Sequence, residues 1–492
     1  MTGLRLRPGL ALVVPAALAL ALAGTGAWVR PPWHDEYFTA WAARLPWSDL
    51  LAALRLDSGP PLLYALSRLA TLLGLPALGA ARAVAALCGA GAVALVAATA
   101  RSRWGGGAAW TAGLLLAFHP LALHWSCEGR AYALLLFAAA WGWFELTRME
   151  GGLPRAWRLG IAVALGCWSH SLGLLLASAL AAACVALPVT VRRRGLVAIA
   201  AGLASHLPWL PVMLGQPPAA IAWMAHLWEQ LAIPRSMALA IGRYLSPVAA
   251  FGGVLDLPSP PLAVEVAGAV LTAALLGLAL CRPGEVAIPA LGVGVPAAAF
   301  AALVLASVPV FYPGRAHVLL LAPFAVLLAA PRGKAARMAA ALLVAGGLAV
   351  SLRSVAAWAA EPEPIEARLA RRLRAELPAG GTVVVGGIWR LGLDYHLGGG
   401  SPRLELVSVP EAAGRHPGWY VDGHDRLQPG ELEALARRLG EQPGRAAVLV
   451  APGADTAPAL RQLAARLGLA PAAEVPGGVL YLPSPHRRGG GT

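Results

Sequence analysis

Apolar runs long enough to cross a bilayer recur over the first 358 residues, separated by short segments that carry the charge. A membrane-spanning helix needs roughly 20 apolar residues. On that rule spans fall at 9–29, 80–100, 105–124, 131–146, 157–169, 171–190, 195–213, 263–281, 286–306, 316–330 and 338–357, about eleven crossings. The stretch 60–74 is apolar but short. It opens on two prolines and carries Arg68, so it reads as a helix lying in the outer interface. The apolar piece 237–253 admits a re-entrant reading. In the first loop Tyr37, Phe38, Trp41 and Leu45 recur at helical spacing until Pro46 breaks the run. Trp47, Leu50, Leu51 and Leu54 repeat the pattern, which predicts two short amphipathic helices on the membrane surface.

After Trp358 the pattern changes. Glu361-Pro-Glu-Pro364 reads as a linker, and Ile365, Leu369, Leu373 and Leu377 mark an amphipathic helix. Strand-like runs at 382–385, 404–409 and 446–450 alternate with helical runs at 431–439 and 459–467. The expected organisation is therefore a transmembrane domain over 1–358 and a small α/β domain over 359–492. The glycines 489–491 read as a disordered end.

Composition supports the membrane reading, with 58% hydrophobic and 13% charged residues, against about a quarter charged in ordinary soluble domains. The net charge of +14 does not point to nucleic acid, because from residue 359 onward 15 arginines nearly balance 14 acids. The excess sits among the spans, where it reports topology. With Arg5 and Arg7 inside, the inner segments hold 14 basic and three acidic residues, and the outer ones 10 basic and eight acidic. Arg192–Arg194 lie inside and the C-terminal domain lies outside. The first apolar run lacks a clean small-residue cleavage site and is expected to remain as a span. None of the five cysteines lies in the C-terminal domain and none forms a CxxC pair, so neither a disulfide framework nor a zinc site is expected.

Charges at a membrane face are costly unless paired or used. This topology gathers the candidates on the outer face. They are Asp35 and Glu36 after the first span, Asp57 before Gly59-Pro-Pro, and Glu128, Arg130 and Tyr132 between two spans. His170 at a hairpin tip and Tyr312 with Arg315 at the start of a later span complete the set. Carboxylates beside arginines suit a base acting next to a bound phosphate. Each also has a plainer reading. Asp35 and Glu36 would be the solvated end of a span, Asp57 a helix cap, Glu128 and Arg130 an ion pair, His170 an interface histidine, and Arg315 a snorkelling side chain. The tryptophans Trp41, Trp47, Trp223 and Trp228 read as interface anchors before sugar platforms.

The order of a first span, Asp-Glu, Asp57-Ser-Gly-Pro-Pro-Leu-Leu-Tyr64 and Ser126-Cys-Glu-Gly-Arg-Ala-Tyr132 resembles the polytopic glycosyltransferases of the GT-C fold. Within them it is most similar to glycosyltransferase family 39, the protein O-mannosyltransferase-like and aminoarabinose-transferase-like group, over residues 10–335. The resemblance implies an enzyme of a bacterial-type plasma membrane. It implies a polyprenyl-phosphate-linked sugar donor, an extracytoplasmic acceptor hydroxyl and inversion at the anomeric centre. It makes Asp35 the base and lets Glu36 orient the acceptor or a metal. Arg315 resembles the late-span arginine that meets the lipid phosphate, although this chain has Tyr-Pro-Gly-Arg-Ala-His where many relatives have Arg-Tyr. Asp57, Glu128, Arg130, Tyr132, His170 and Tyr312 are expected to bind substrate. The carboxylates admit Mg²⁺ or Mn²⁺, but no ligand set is visible in the sequence. Sugar and acceptor stay open. The competing function, a transporter or flippase for a lipid-linked glycan, should show related halves or mid-membrane charges, and neither is visible.

Overall fold

The protein is described by a computed structural model over residues 9–57, 59–152, 155–216, 236, 244–248, 260–308, 312–386, 389–398, 404–416, 427–442, 444–450, 456–475 and 478–484. Arg5, Arg7, Trp223, Trp228, most of 237–253 and the glycines 489–491 lie outside the described residues. The chain forms two compact units. One comprises Met1–Arg30, Gly59–Gly215 and Ile221–Glu361, and the other Pro31–Ser58, Gln216–Ala220 and Pro362–Thr492.

The first unit is helical. Among the described residues six helices are long and apolar enough to cross a membrane, or seven if one bent pair counts as a span. The helix Ala77–Trp104 packs against Leu10–Val29, Gly106–Ala117 and Tyr132–Glu150. It presents Ala81, Ala85, Ala86, Gly89, Ala92 and Ala97 to its neighbours, and such small residues let helix backbones approach closely. In Val318–Leu328 every residue is buried, so other helices enclose it on all sides.

The expected span 105–124 is instead broken. Gly106–Ala117 and Pro120–Ser126 meet at 62°. Pro120 has no N–H for a helical bond and disfavours helical backbone at His119. The His119 ring restarts the helix by accepting from Leu121 N at 3.2 Å. The break turns Trp125 to Glu128 away from the axis of the preceding helix.

The second unit is built on a five-stranded sheet. Its strands are β1 (Gly381–Gly386), β2 (Leu404–Val409), β3 (Ala446–Val450), β4 (Leu469–Val475) and β5 (Gly478–Pro483), in the order β2-β1-β3-β5-β4. β1 pairs in parallel with β2 and β3, and β5 lies antiparallel between β3 and β4. Side chains alternate across a strand, and β1 and β3 are apolar on both faces. Val383, Val385 and Leu449 pack with Leu369, Leu373 and Leu393 from Ile365–Glu376 and Trp389–His396. Val384, Val448 and Val450 pack with Leu435, Leu460 and Leu463 from Glu431–Gly440 and Ala457–Arg466. The three expected strands and three expected helices are present. β4 escapes a propensity reading because Pro471 and its alanines are poor strand formers, which only an edge strand tolerates.

The first-loop helices form at His34–Ala42 and Trp47–Leu54, within this sheet-bearing unit. Tyr37, Phe38, Leu50 and Leu54 are buried in protein. Trp47 and Leu51 of the same stripe stay exposed, so packing covers only part of it.

Candidate active site

Arg30 precedes Pro31, and a residue before proline is driven out of the α region. Arg30 accordingly stands at ψ 123° and ends the helix Leu10–Val29. Arg82 covers that helix end, its Nη1 donating to Ala27 O at 2.6 Å and Arg30 O at 2.9 Å. A cation there also complements the helix dipole. The Arg30 guanidinium reaches Glu128 Oε2 at 3.0 Å and lies 5.2 Å from the Trp358 ring centre. Gly26 permits this approach, since a Cβ there would stand 2.5 Å from Cys127 Sγ.

Glu128 is fully buried, and His124 Nε2 lies 3.2 Å from the oxygen that Arg30 holds. Burial by itself would push this carboxyl up. Arg30, then the hydrogen bond and charge of His124, then Arg130 outweigh it and hold the group well below the usual carboxylate range. Glu128 is therefore an ionised carboxylate in a dry setting, which is sustainable only with such partners.

Arg130 donates to Tyr64 Oη at 3.4 Å. Tyr132 lies between Trp125 and His170, with ring centres at 4.0 and 5.0 Å. Burial pushes His170 down to about 3, and the charges of Arg130 and Arg315 add to the effect. The ring is thus neutral at physiological pH. Its Nδ1 accepts from Leu172 N at 3.1 Å, which leaves the proton on Nε2 as a donor. The turn carrying Arg315 is tied to the same wall, because Trp125 Nε1 donates to Gly314 O at 3.0 Å. Gly314 has φ +82° and donates its N–H to His317 Nδ1 at 3.0 Å, a backbone shape that glycine adopts without strain. The Arg315 guanidinium sits 4.9 Å from the Tyr312 ring centre.

The first unit therefore brings Glu128, Arg130, Tyr132, His170 and Arg315 together, with Tyr312 beside Arg315. It adds Arg30, His124, Trp125 and Trp358, which the sequence reading missed. Arg30 could have been found by the rule that selected Arg130, because it stands at the outer end of the first apolar run. Trp358 could not, since 328 residues separate it from Arg30.

Asp35, Glu36 and Asp57 belong to the second unit. Asp35 and Glu36 occupy the first turn of His34–Ala42, where the helix dipole favours negative charge. They are 1% and 0% exposed, which overturns the reading of a solvated span end. Asp57 is buried and is not the cap of Leu62–Leu72, whose N-cap residue is Pro61. Among the described residues no three His, Cys, Asp or Glu side chains gather as ligands for a metal ion.

No family model matches the chain, and no curated protein matches it. Solved structures do. The crystal structure of ArnT from Cupriavidus metallidurans bound to undecaprenyl phosphate aligns over 95% of this chain and 97% of that one, with a TM-score of 0.60 at 13% identity. The apo form of the same protein aligns over the same shares with a TM-score of 0.47 at 13% identity. The oligosaccharyltransferase of Archaeoglobus fulgidus aligns over 89% of this chain and 69% of that one, with a TM-score of 0.46 at 13% identity. The match to lipid-bound ArnT establishes a shared fold, the GT-C fold anticipated from the order of sequence elements.

Proposed function

We propose that this chain is a membrane glycosyltransferase that moves a sugar from a polyprenyl-phosphate carrier to an acceptor hydroxyl outside the cytoplasm. The observation that carries the reading is the assembly of the half-buried Arg30, Arg130 and Arg315 around the buried Glu128, with His170 beside it. Arginine forks match phosphate oxygens. The fold shared with ArnT, a protein solved with undecaprenyl phosphate bound, supports the same reading.

In the proposed reaction Asp35 takes the proton of the acceptor hydroxyl as its oxygen bonds to the anomeric carbon. The bond from that carbon to the carrier phosphate breaks with inversion. A phosphate diester becomes a monoester and gains negative charge, which Arg315 and Arg130 stabilise. Glu36 orients the acceptor. The neutral His170, Tyr132, Tyr312 and Asp57 offer hydrogen bonds to the sugar and the phosphate. Comparing glycans and glycoproteins by mass spectrometry in cells with and without the protein tests the function and identifies sugar and acceptor. No missing product in the deletion strain would refute it.

Two narrower expectations belong to this reading. Arg315→Ala should raise donor KM or lower donor turnover by about tenfold or more while acceptor KM changes little, as for a lost phosphate contact. Steady-state kinetics with varied donor decides it, and an unchanged donor dependence removes Arg315 from the site. The reading takes about eleven crossings with more positive charge on the inner side, an arrangement that would put the C-terminal domain outside. A topology reporter fused after Trp358 should be active only in the extracytoplasmic space, and cytoplasmic activity would overturn the orientation.

A further inference from the structure

The acid pair Asp35-Glu36 sits on a helix of nine residues, too short to hold its shape without tertiary support. Its support comes from the far end of the sequence. Tyr37 Oη and His396 Nε2 share a hydrogen bond at 3.0 Å across a separation of 359 residues. The Tyr37 ring packs on Tyr395 at 5.3 Å and meets His396 edge-on at 5.5 Å. Seven residues further along, Arg44 forms an ion pair with Asp394. Phe38, on the next position of the helix, packs against His416 at 5.1 Å.

The element that supplies these partners is itself firmly seated. Trp389–His396 follows β1 after two residues, and Leu391 and Leu393 are fully buried. Gly392 lets the helix press on Ile365–Glu376, because a Cβ at that position would stand 2.4 Å from Glu366 Cγ. Arg374 donates to His396 O at 2.6 Å, closing the C-terminal end of the helix with a cation.

We propose that Asp394, Tyr395 and His396 are positioning residues for the acid pair, so that the sheet-bearing C-terminal segment fixes the first-loop helix in its reactive placement. The inference rests on the reading of Asp35 as the base. Tyr37 lies two residues after Asp35 on the same short helix, so its hydroxyl and ring set the rotation and height of the first turn. A misplacement of about 1 Å can cost roughly 10²-fold in rate. A C-terminal segment that merely bound a partner would have no reason to grip this helix near its first turn and again just past its C-terminal end.

The test uses the full-length protein in detergent and in cells. Amide hydrogen exchange is measured over 34–43, with β1 and β3 as internal controls for the fold of the sheet. His396→Ala and Tyr37→Phe should each speed exchange in 34–43 by about fivefold to tenfold, the effect of one lost buried hydrogen bond. β1 and β3 should keep their protection. The double variant should be little worse than either single one. His396→Gln, which retains a hydrogen-bonding group, should recover much of the protection. In a deletion strain the same variants should lower the glycan product at least fivefold without lowering the amount of protein, and His396→Gln should restore it in step with the exchange.

Unchanged exchange over 34–43 in His396→Ala would overturn the positioning role. So would faster exchange with undiminished product, provided Asp35→Asn abolishes that product in the same strain. If Asp35→Asn leaves the product intact, the reading of the base fails instead. If β1 loses protection in His396→Ala, the decision passes to Tyr37→Phe, which leaves the residues of the C-terminal segment untouched.

Discussion

Asp35→Asn protein is expected to insert and fold like the wild type and to transfer sugar about 10²–10⁴-fold more slowly, the range typical of a missing general base. The substitution keeps shape and most hydrogen bonding but removes the charge and the basicity. Asp35 follows the first apolar span by a few residues, so the span holds it near the membrane surface. The proposed donor's phosphate would be confined to that depth by its lipid tail. Asp35 is 1% exposed, and a buried carboxylate is costly to keep unless it is partnered or used. The measurement is product formation by purified wild type and variant, matched for folded protein. Retention of more than about a tenth of the rate would be too much for a missing base, and the role would pass to Glu36 or Asp57.

The second large effect is on stability. Glu128→Gln leaves Arg30 facing a neutral group in a setting where the carboxylate side chain is fully buried and the guanidinium side chain is 11% exposed. Breaking a buried pair from one side typically costs about 3–5 kcal/mol. Thermal unfolding in detergent should show a correspondingly large fall for Glu128→Gln and for Arg30→Met. The double variant should recover much of the loss, because neither charge is then stranded. Additive losses would mean that the two residues act independently. The pair also predicts a pH dependence. Glu128 is held below the usual carboxylate range by Arg30 and His124 against its burial. Its contribution is therefore present at and above the ordinary carboxylate pKa of about 4.3. It is lost as the pH falls below that value and the folded protein is forced to take up the proton. Glu128→Gln should flatten the acid limb of the stability profile.

The interior contact between Arg30 and Trp358 shows how distant parts of the sequence close around this pair. Trp358 is 2% exposed, and its ring lies near both the Arg30 guanidinium and the His124 imidazole. The C-terminal ends of Leu10–Val29 and Lys334–Ala360 thus meet beside one buried carboxylate. A reporter fusion after Trp358 leaves this residue in place, whereas a truncation before it would remove the aromatic wall.

The sequence by itself determined that the chain is a polytopic membrane protein. Hydrocarbon solvates no backbone polar group, so the spans are built from apolar helix, which local composition reveals. It also determined β1 and β3, whose apolar runs are buried on both faces and owe little to context, and β2, whose apolar residues are only partly covered. The outer-face acids and arginines were legible for a similar reason: a charge beside the bilayer is conspicuous and expensive. Only the tertiary structure decided which of them meet. Glu128 finds Arg30 because Gly26 admits the Cys127 side chain and Pro31 turns Arg30 out of its helix. The break at Pro120 was hidden inside one apolar run, because hydropathy does not register a missing N–H. The first-loop helices kept their predicted periodicity but not their expected surroundings. An amphipathic stripe specifies that one face must be covered, and it does not specify whether lipid or protein covers it. Tyr37 meets His396 across 359 residues, and that choice depends on a surface assembled from the other end of the chain.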